Sequence, residues 1–345
     1  MSISLQSAAV PIPQYIAALA LSVAAVGLGW GLARLWLRRA ARWRLRLRRR
    51  GDAAVLLLIM IAGVLVWLGS QILYGIAIAI ARADERGRAL DMSMFTPMDW
   101  AFLAVVPGVL GFIALIGGLL VVRRDLPREL GFELPRLPRG LVAAAIAMLI
   151  AFPVLYWCVL LMEVIYAAIG YEHPQEHDLL RVMLETENRV AQVMILVGAV
   201  VIAPVFEEFL FRGHLQTVLV RWWTARGAPV TPALDETSAG AESGEHARRL
   251  NEGLVGAPVD ALPYAPPMLP VVEYATGAST AFVRWLAIIV TSILFAVIHP
   301  LWSAPIIFIL SLMLGYVYER TGNLWAAVGL HAMFNLVNTV MYVWS

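Results

Sequence analysis

The sequence predicts an all-α membrane protein, a polytopic bundle of about eight transmembrane helices. Of its 345 residues, 61% are hydrophobic and only 14% are charged, and the mean hydropathy is +0.77. A soluble domain carries about 25% charged residues. Long apolar runs separated by short charged ones are what a bilayer requires, because each crossing needs roughly 20 apolar residues. This composition excludes a soluble globular enzyme and a disordered chain.

Eight apolar runs are candidates for these crossings. They occupy residues 14–37, 53–81, 101–122, 141–169, 191–220, 283–299, 304–318 and 324–344. The run at 191–220 is too long for one straight crossing, and Pro204 within it predicts a kink or a division into two helices. We expect two regions, an N-terminal one of three spans at 1–140 and a core at 141–345. A loop rich in Gly, Pro, Ala and acidic residues at 227–280 interrupts the core, and we expect it to be flexible.

The loops predict how the bundle is oriented. Nine arginines lie between Arg34 and Arg50, and a basic run beside a span stays on the cytoplasmic side. Alternation then places the 227–280 loop inside as well, with both ends of the chain outside. The arginine run does not indicate nucleic-acid binding, because topology or contact with anionic lipids is the usual role of such a run beside a span. We expect multi-pass insertion in the bacterial inner (cytoplasmic) membrane.

Two adjacent carboxylates lie in the middle of the fifth apolar run. Ionisable side chains are expensive inside a membrane, so each is a functional candidate. Arg212 lies four positions after Glu208, which allows the two side chains to pair on one helix face. Glu207 is rotated by about 100° from Glu208, at 3.6 residues per turn. One carboxylate can therefore be neutralised while the other faces a cavity.

Two histidines and an asparagine follow in later spans. His299 ends the sixth span directly before Pro300, which cannot continue a helix without cost. His331 and Asn335 are four positions apart, so they share one face of the last span. The helical rise places Glu207 and His299 roughly 20 Å from the arginines that flank their spans, and His331 roughly 12 Å from Asn323 at the start of its span. Tilts and kinks can equalise these depths, so we expect the four side chains to face one polar cavity within the bilayer.

In this order, three motifs resemble a known protein family. Glu-Glu-x-x-x-Arg at 207–212, Phe-x-x-x-His at 295–299 and His-x-x-x-Asn at 331–335 are similar to the CAAX protease and bacteriocin-processing family, which includes the Ras-converting CAAX protease. The resemblance covers about residues 140–345, and a loop as long as 227–280 is unusual for that family. It implies an intramembrane endopeptidase that hydrolyses a peptide bond of a membrane-associated protein or peptide.

The resemblance also implies a role for each motif residue. Glu207 and His299 would activate the attacking water, while His331 and Asn335 would stabilise the oxyanion. These residue types suit those roles, because carboxylates and imidazoles act as general bases and an Asn amide donates hydrogen bonds to an oxyanion.

Glu208 and Arg212 are implied to support the site, and the role of a metal stays open at the level of sequence. Glu207, His299 and His331 would form a ligand set for a divalent ion such as zinc, with water as the fourth ligand. A metal-free route with glutamate as the base needs the same residue types. We favour the metal-free route, because no pair has the His-x-x-x-His spacing of a helix-borne zinc site.

Two other functions fit a polytopic protein with buried carboxylates. One is a non-catalytic scaffold or immunity-type protein of the same fold, and the other is a proton-coupled transporter. A scaffold has no need for a histidine and an asparagine facing the glutamates, and the polar residues cluster at one site instead of lining a path. The sequence therefore favours the protease, with the lipid bilayer and a peptide or protein substrate as partners and no nucleic acid.

Overall fold

The computed structural model describes residues 12–40, 52–82, 95–172, 178–227 and 278–343. Nearly all of these residues are helical and none is in a strand, which confirms the all-α prediction. The α-helices are α1 Ile12–Ala40, α2 Asp52–Arg82, α3 Pro97–Val122, α4 Leu126–Glu129, α5 Leu137–Ile169, α6 Asp178–Glu185, α7 Arg189–Val197, α8 Ala203–Glu208, α9 Thr217–Gly227, α10 Ala278–Val297, α11 Ala304–Thr321 and α12 Leu324–Val343. Most of the arginine-rich loop, nearly all of the 227–280 loop and both chain ends lie outside the described residues, so the predicted orientation stays a prediction.

Within the described residues, six helical stretches are long and apolar enough to cross a membrane. They are Tyr15–Leu35, Ala53–Arg82, Pro97–Val122, Leu126–Ile169, Arg189–Thr224 and Leu324–Val343. The other two predicted spans coincide with the shorter apolar helix Ala281–Val297 and with α11. Every predicted span therefore falls on a helix, and the protein is an integral multi-pass membrane protein.

The helices α2 and α3 form a hairpin that a buried carboxylate ties together at one end. Thr96 caps α3 in a reciprocal capping box with Asp99, and Pro97 begins the helix with a favourable fixed φ. Asp99 also accepts hydrogen bonds from the Tyr74 hydroxyl, at 2.8 Å, and from the Arg82 guanidinium, at 2.6 Å. Both donors belong to α2, so the capping residue of one helix also fastens the other.

A continuous helical path runs from Arg189 to Gly227 and carries the first motif. Its hydrogen bonding changes register twice, in a first π segment at Gly198–Ile202 and a second π segment at Phe209–Gln216. Pro204 lies in α8, directly after the first π segment. The hydrogen bonding thus changes register at the proline, the point where the sequence predicts a disturbance of the helix. Such π segments are frequent at functional sites.

Close contacts fix this helical path against its neighbours. Gly198 lies so near α3 that an added Cβ would stand 2.6 Å from the Ala104 carbonyl oxygen. The helix α12 packs against α5, α8 and both π segments. Its first turn is anchored by Leu324, whose N–H donates to the Gly131 carbonyl at 3.2 Å. Gly131 has a φ of +78°, and a Cβ added there would collide with the Gly322 carbonyl oxygen. Both the conformation and the close contact therefore favour glycine. The segment after α3 thus sets the height of α12 in the bundle.

Candidate active site

Glu208 and Arg212 form a fully buried ion pair within one helical path. Arg212 Nη1 lies 3.0 Å from Glu208 Oε1, and neither side chain has any exposed surface. The other terminal nitrogen of Arg212 donates to the Ser311 hydroxyl at 2.7 Å and to the Ser311 carbonyl at 3.2 Å. The guanidinium carbon lies 4.6 Å from the centre of the Phe295 ring. Buried charges persist only when paired and hydrogen-bonded, so this set of contacts neutralises Glu208.

His331 lies between the two carboxylates. Its Nδ1 is 3.0 Å from Glu208 Oε1, and its Nε2 is 3.9 Å from Glu207 Oε2. An ionised carboxylate only accepts hydrogen bonds, so Nδ1 of His331 carries a proton and donates a hydrogen bond to Glu208. The Glu207 side chain is 22% exposed and the Glu208 side chain 0%. The two adjacent glutamates are therefore unequal: Glu208 holds His331 and Arg212, and Glu207 is the accessible carboxylate.

His299 is oriented by its own helix. Its Nδ1 lies 2.7 Å from the Phe295 carbonyl oxygen. A carbonyl only accepts, so Nδ1 carries the proton and Nε2 is left as an acceptor. The Phe295 ring contacts both imidazoles, with centroids 4.7 Å from His299 and 5.8 Å from His331. Both histidines therefore pack against the same aromatic ring.

Asn335 lies one turn beyond His331 on α12, and both side chains point towards the path that contains the glutamates. The Asn335 side-chain nitrogen donates to the Ala199 carbonyl at 2.8 Å. This carbonyl belongs to the first π segment, two turns before Glu207. The amide is half-buried, and its partner is backbone instead of another motif side chain.

The structure thus connects the six predicted residues to different degrees. Four of them touch one another directly: Glu207, Glu208, Arg212 and His331. His299 joins this cluster through the Phe295 ring, and Asn335 is held by Ala199. Sequence reasoning missed Ser311, although a hydroxyl in the otherwise apolar run of α11 was a visible signal.

The arrangement does not favour a metal centre. In the parts of the chain that the structure describes, no group of three or more His, Cys, Asp or Glu side chains is placed to hold a metal ion. The candidate ligands Glu207, His299 and His331 do not form such a group. The metalloprotease interpretation therefore lacks support from the geometry.

Fold and site together define a multi-pass helical membrane protein with a buried cluster of carboxylates, histidines and an arginine. Residues 189–234 and 271–337 match the family model described as Type II CAAX prenyl endopeptidase Rce1-like. The matched residues include all three motifs, and the match confirms the resemblance to the CAAX protease and bacteriocin-processing family. Searches among curated proteins and among solved structures found no match. Over these residues the chain is similar to CAAX-type intramembrane proteases.

Proposed function

We propose that this protein is an intramembrane endopeptidase that hydrolyses a peptide bond of a membrane-associated protein or peptide. The observation that carries the proposal is the inequality of the two glutamates. Arg212 and His331 engage Glu208 in full burial, which leaves Glu207 as the partly exposed carboxylate beside the second nitrogen of His331. A scaffold does not need this division of roles, whereas general-base catalysis does.

In the proposed reaction, Glu207 and His299 activate water. The carboxylate of Glu207 takes a proton from the water as its oxygen attacks the carbonyl carbon of the scissile bond. His299 orients that water through Nε2, because its Nδ1 proton is committed to the Phe295 carbonyl. When the tetrahedral intermediate collapses, the protonated Glu207 returns the proton to the leaving amine. One group thus serves as base and then as acid.

His331 and Asn335 would stabilise the oxyanion of the intermediate. Nδ1 of His331 donates to Glu208, so Nε2 can donate to an oxyanion only when the ring is an imidazolium. That form balances the charges of the site, because Arg212 and His331 then face two carboxylates. Asn335 has two N–H donors, of which Ala199 accepts one. The second is the donor that this role requires.

The location and the regions of the chain are part of the same proposal. The arginine-rich loop favours the bacterial inner membrane with its basic loops in the cytoplasm. We assign the proteolytic core to 141–345, interrupted at 227–280, and a flanking membrane region to 1–140. The lipid bilayer and the peptide or protein substrate are the partners, and nothing in the site favours nucleic acid.

The test is cleavage of a membrane-peptide library by the purified protein in lipid nanodiscs. We expect wild-type protein to cleave defined peptides and Glu207→Gln protein to leave them intact, with cleavage sites read by mass spectrometry. If the wild-type protein binds peptides and cleaves none, the non-catalytic scaffold is the better description.

A further inference from the structure

A proline deprives one carbonyl of the first π segment of its helical partner. In a regular α-helix, Ala203 would donate its N–H to Ala199, but here it donates to Gly198. The next donor along the chain, in the π register, would be residue 204. That residue is proline and has no N–H. The Ala199 carbonyl therefore has no backbone donor at either of the two helical positions that would supply one.

The missing donor comes from another helix. Asn335 on α12 donates its side-chain N–H to the Ala199 carbonyl at 2.8 Å, and the pair is half-buried between the two helices. In a membrane an unpaired carbonyl costs several kcal/mol, because no water is present to satisfy it. The carbonyl that Pro204 frees is thus a strong and fixed acceptor. It holds the amide of Asn335 in one orientation.

We propose that Pro204 is a positioning residue for the active site, which acts by keeping the Ala199 carbonyl free to orient Asn335. An amide group is planar, so binding one N–H to a fixed carbonyl also fixes the direction of the second N–H. That second N–H is the oxyanion donor of the proposed function, on which this part of the inference rests. The pairing itself, between a proline-freed carbonyl and an asparagine of another helix, does not depend on catalysis.

The activity test is a double-mutant cycle. Pro204→Ala and Pro204→Val both return an N–H at position 204, and then Ala199 receives a backbone donor whether the helix continues in the α or the π register. Alanine leaves the volume of the ring empty and valine fills it, so an effect common to both comes from the N–H. We expect kcat to fall by between roughly tenfold and the 10²–10³ of losing an oxyanion donor, with KM unchanged.

Asn335→Ala supplies the other side of the cycle. In that background the exchange of Pro204 should change kcat by less than about twofold, which is the scatter of independent effects. Asn338→Ala is the matched control, because the Asn338 amide donates to Phe334 of its own helix at 3.0 Å and is exposed. In the control background Pro204→Ala should keep its full effect. An equal loss of kcat in the Asn335→Ala and wild-type backgrounds overturns the positioning role.

Thermal stability tests the pairing without any substrate. Asn335→Ala leaves the Ala199 carbonyl unpaired, so Tm should fall, on the order of a few degrees. Adding Pro204→Ala should recover at least part of that loss, because the backbone then supplies a donor. The cleavage activity of this double variant should stay at the low level of the Asn335→Ala protein. If Tm recovers but the wild-type protein cleaves no peptide, the proposed function is refuted and the pairing stands. If Tm falls further when either Pro204→Ala or Pro204→Val is added to Asn335→Ala, the pairing is refuted.

Discussion

Exchanging each glutamate of the adjacent pair for its amide separates chemistry from stability. Glu207→Gln and Glu208→Gln change one charge each, keep the side-chain volume and differ by a single position in the same helix. The structure gives them opposite surroundings: Glu207 is partly exposed beside His331, and Glu208 is fully buried against Arg212. The two variants are therefore matched controls for each other.

The loss of stability expected for Glu208→Gln follows from the contacts of Arg212. After the exchange, the guanidinium keeps Ser311 and the Phe295 ring but loses its only ionic partner among the contacts described above. Removing one partner of a buried ion pair costs about 3–5 kcal/mol, because the remaining charge stays buried. The new side-chain oxygen still accepts from His331, so the loss reports the charge. We expect Tm to fall on the order of 10 °C.

Glu207→Gln should instead lower activity and leave thermal stability almost unchanged. Its carboxylate has a loose contact of 3.9 Å with His331, and the amide fits the same space. We expect Tm to change by at most a few degrees. Removal of the general base should lower kcat by roughly 10²–10⁴.

The assay combines turnover of a cleavable membrane peptide with fluorescence-detected thermal unfolding of the purified variants. Near-normal turnover by Glu207→Gln protein would show that the general-base assignment is wrong. A Glu208→Gln protein as stable as wild type would show that Arg212 does not depend on this carboxylate. Both outcomes are measured on the same preparations, so poor folding cannot be mistaken for lost chemistry.

Three further predictions concern packing and topology. Ser311→Ala removes the 2.7 Å hydrogen bond to Arg212 but keeps the carbonyl contact, so the free energy of unfolding should fall by about 1.5–3 kcal/mol. Thr291→Ala serves as the comparison, because it removes a buried hydroxyl from the neighbouring helix α10. Tyr318→Phe removes the donor to the Leu130 carbonyl at 3.0 Å and should cost about 1–3 kcal/mol in urea or thermal unfolding, because that carbonyl stays buried. Cysteines placed in the 227–280 loop of a Cys158→Ala protein should react with an impermeant maleimide only after the membrane is opened; labelling of intact cells would contradict the predicted orientation.

The sequence by itself determined the class of fold and the local part of the site. A bilayer accepts few structures, so long apolar runs translate directly into membrane helices. The Glu208–Arg212 pair was also predictable, because residues four apart on a helix are neighbours whatever surrounds them. The order of the motifs carried the family resemblance, which the family match confirms.

Only the tertiary structure decided how the motifs meet. His331 pairs with Glu208 by one nitrogen and approaches Glu207 by the other, which depends on the relative height and rotation of α12 and α8. Contacts far from the site set that height, such as the N–H of Leu324 on the Gly131 carbonyl. Helical periodicity fixes neighbours within a helix, but it carries no information about register between helices.

The hydrogen bond from Asn335 to the Ala199 carbonyl is a second feature that the sequence does not predict. The sequence contains Pro204 and the asparagine, and it predicts a disturbance of the helix at the proline. It does not predict that the hydrogen bonding changes register there, because helical periodicity carries no such signal. The structure has the π segment, which frees the Ala199 carbonyl, and the packing of α12 brings Asn335 within 2.8 Å of it. That choice depends on which neighbouring helix can supply a donor, and this is a property of the packed bundle.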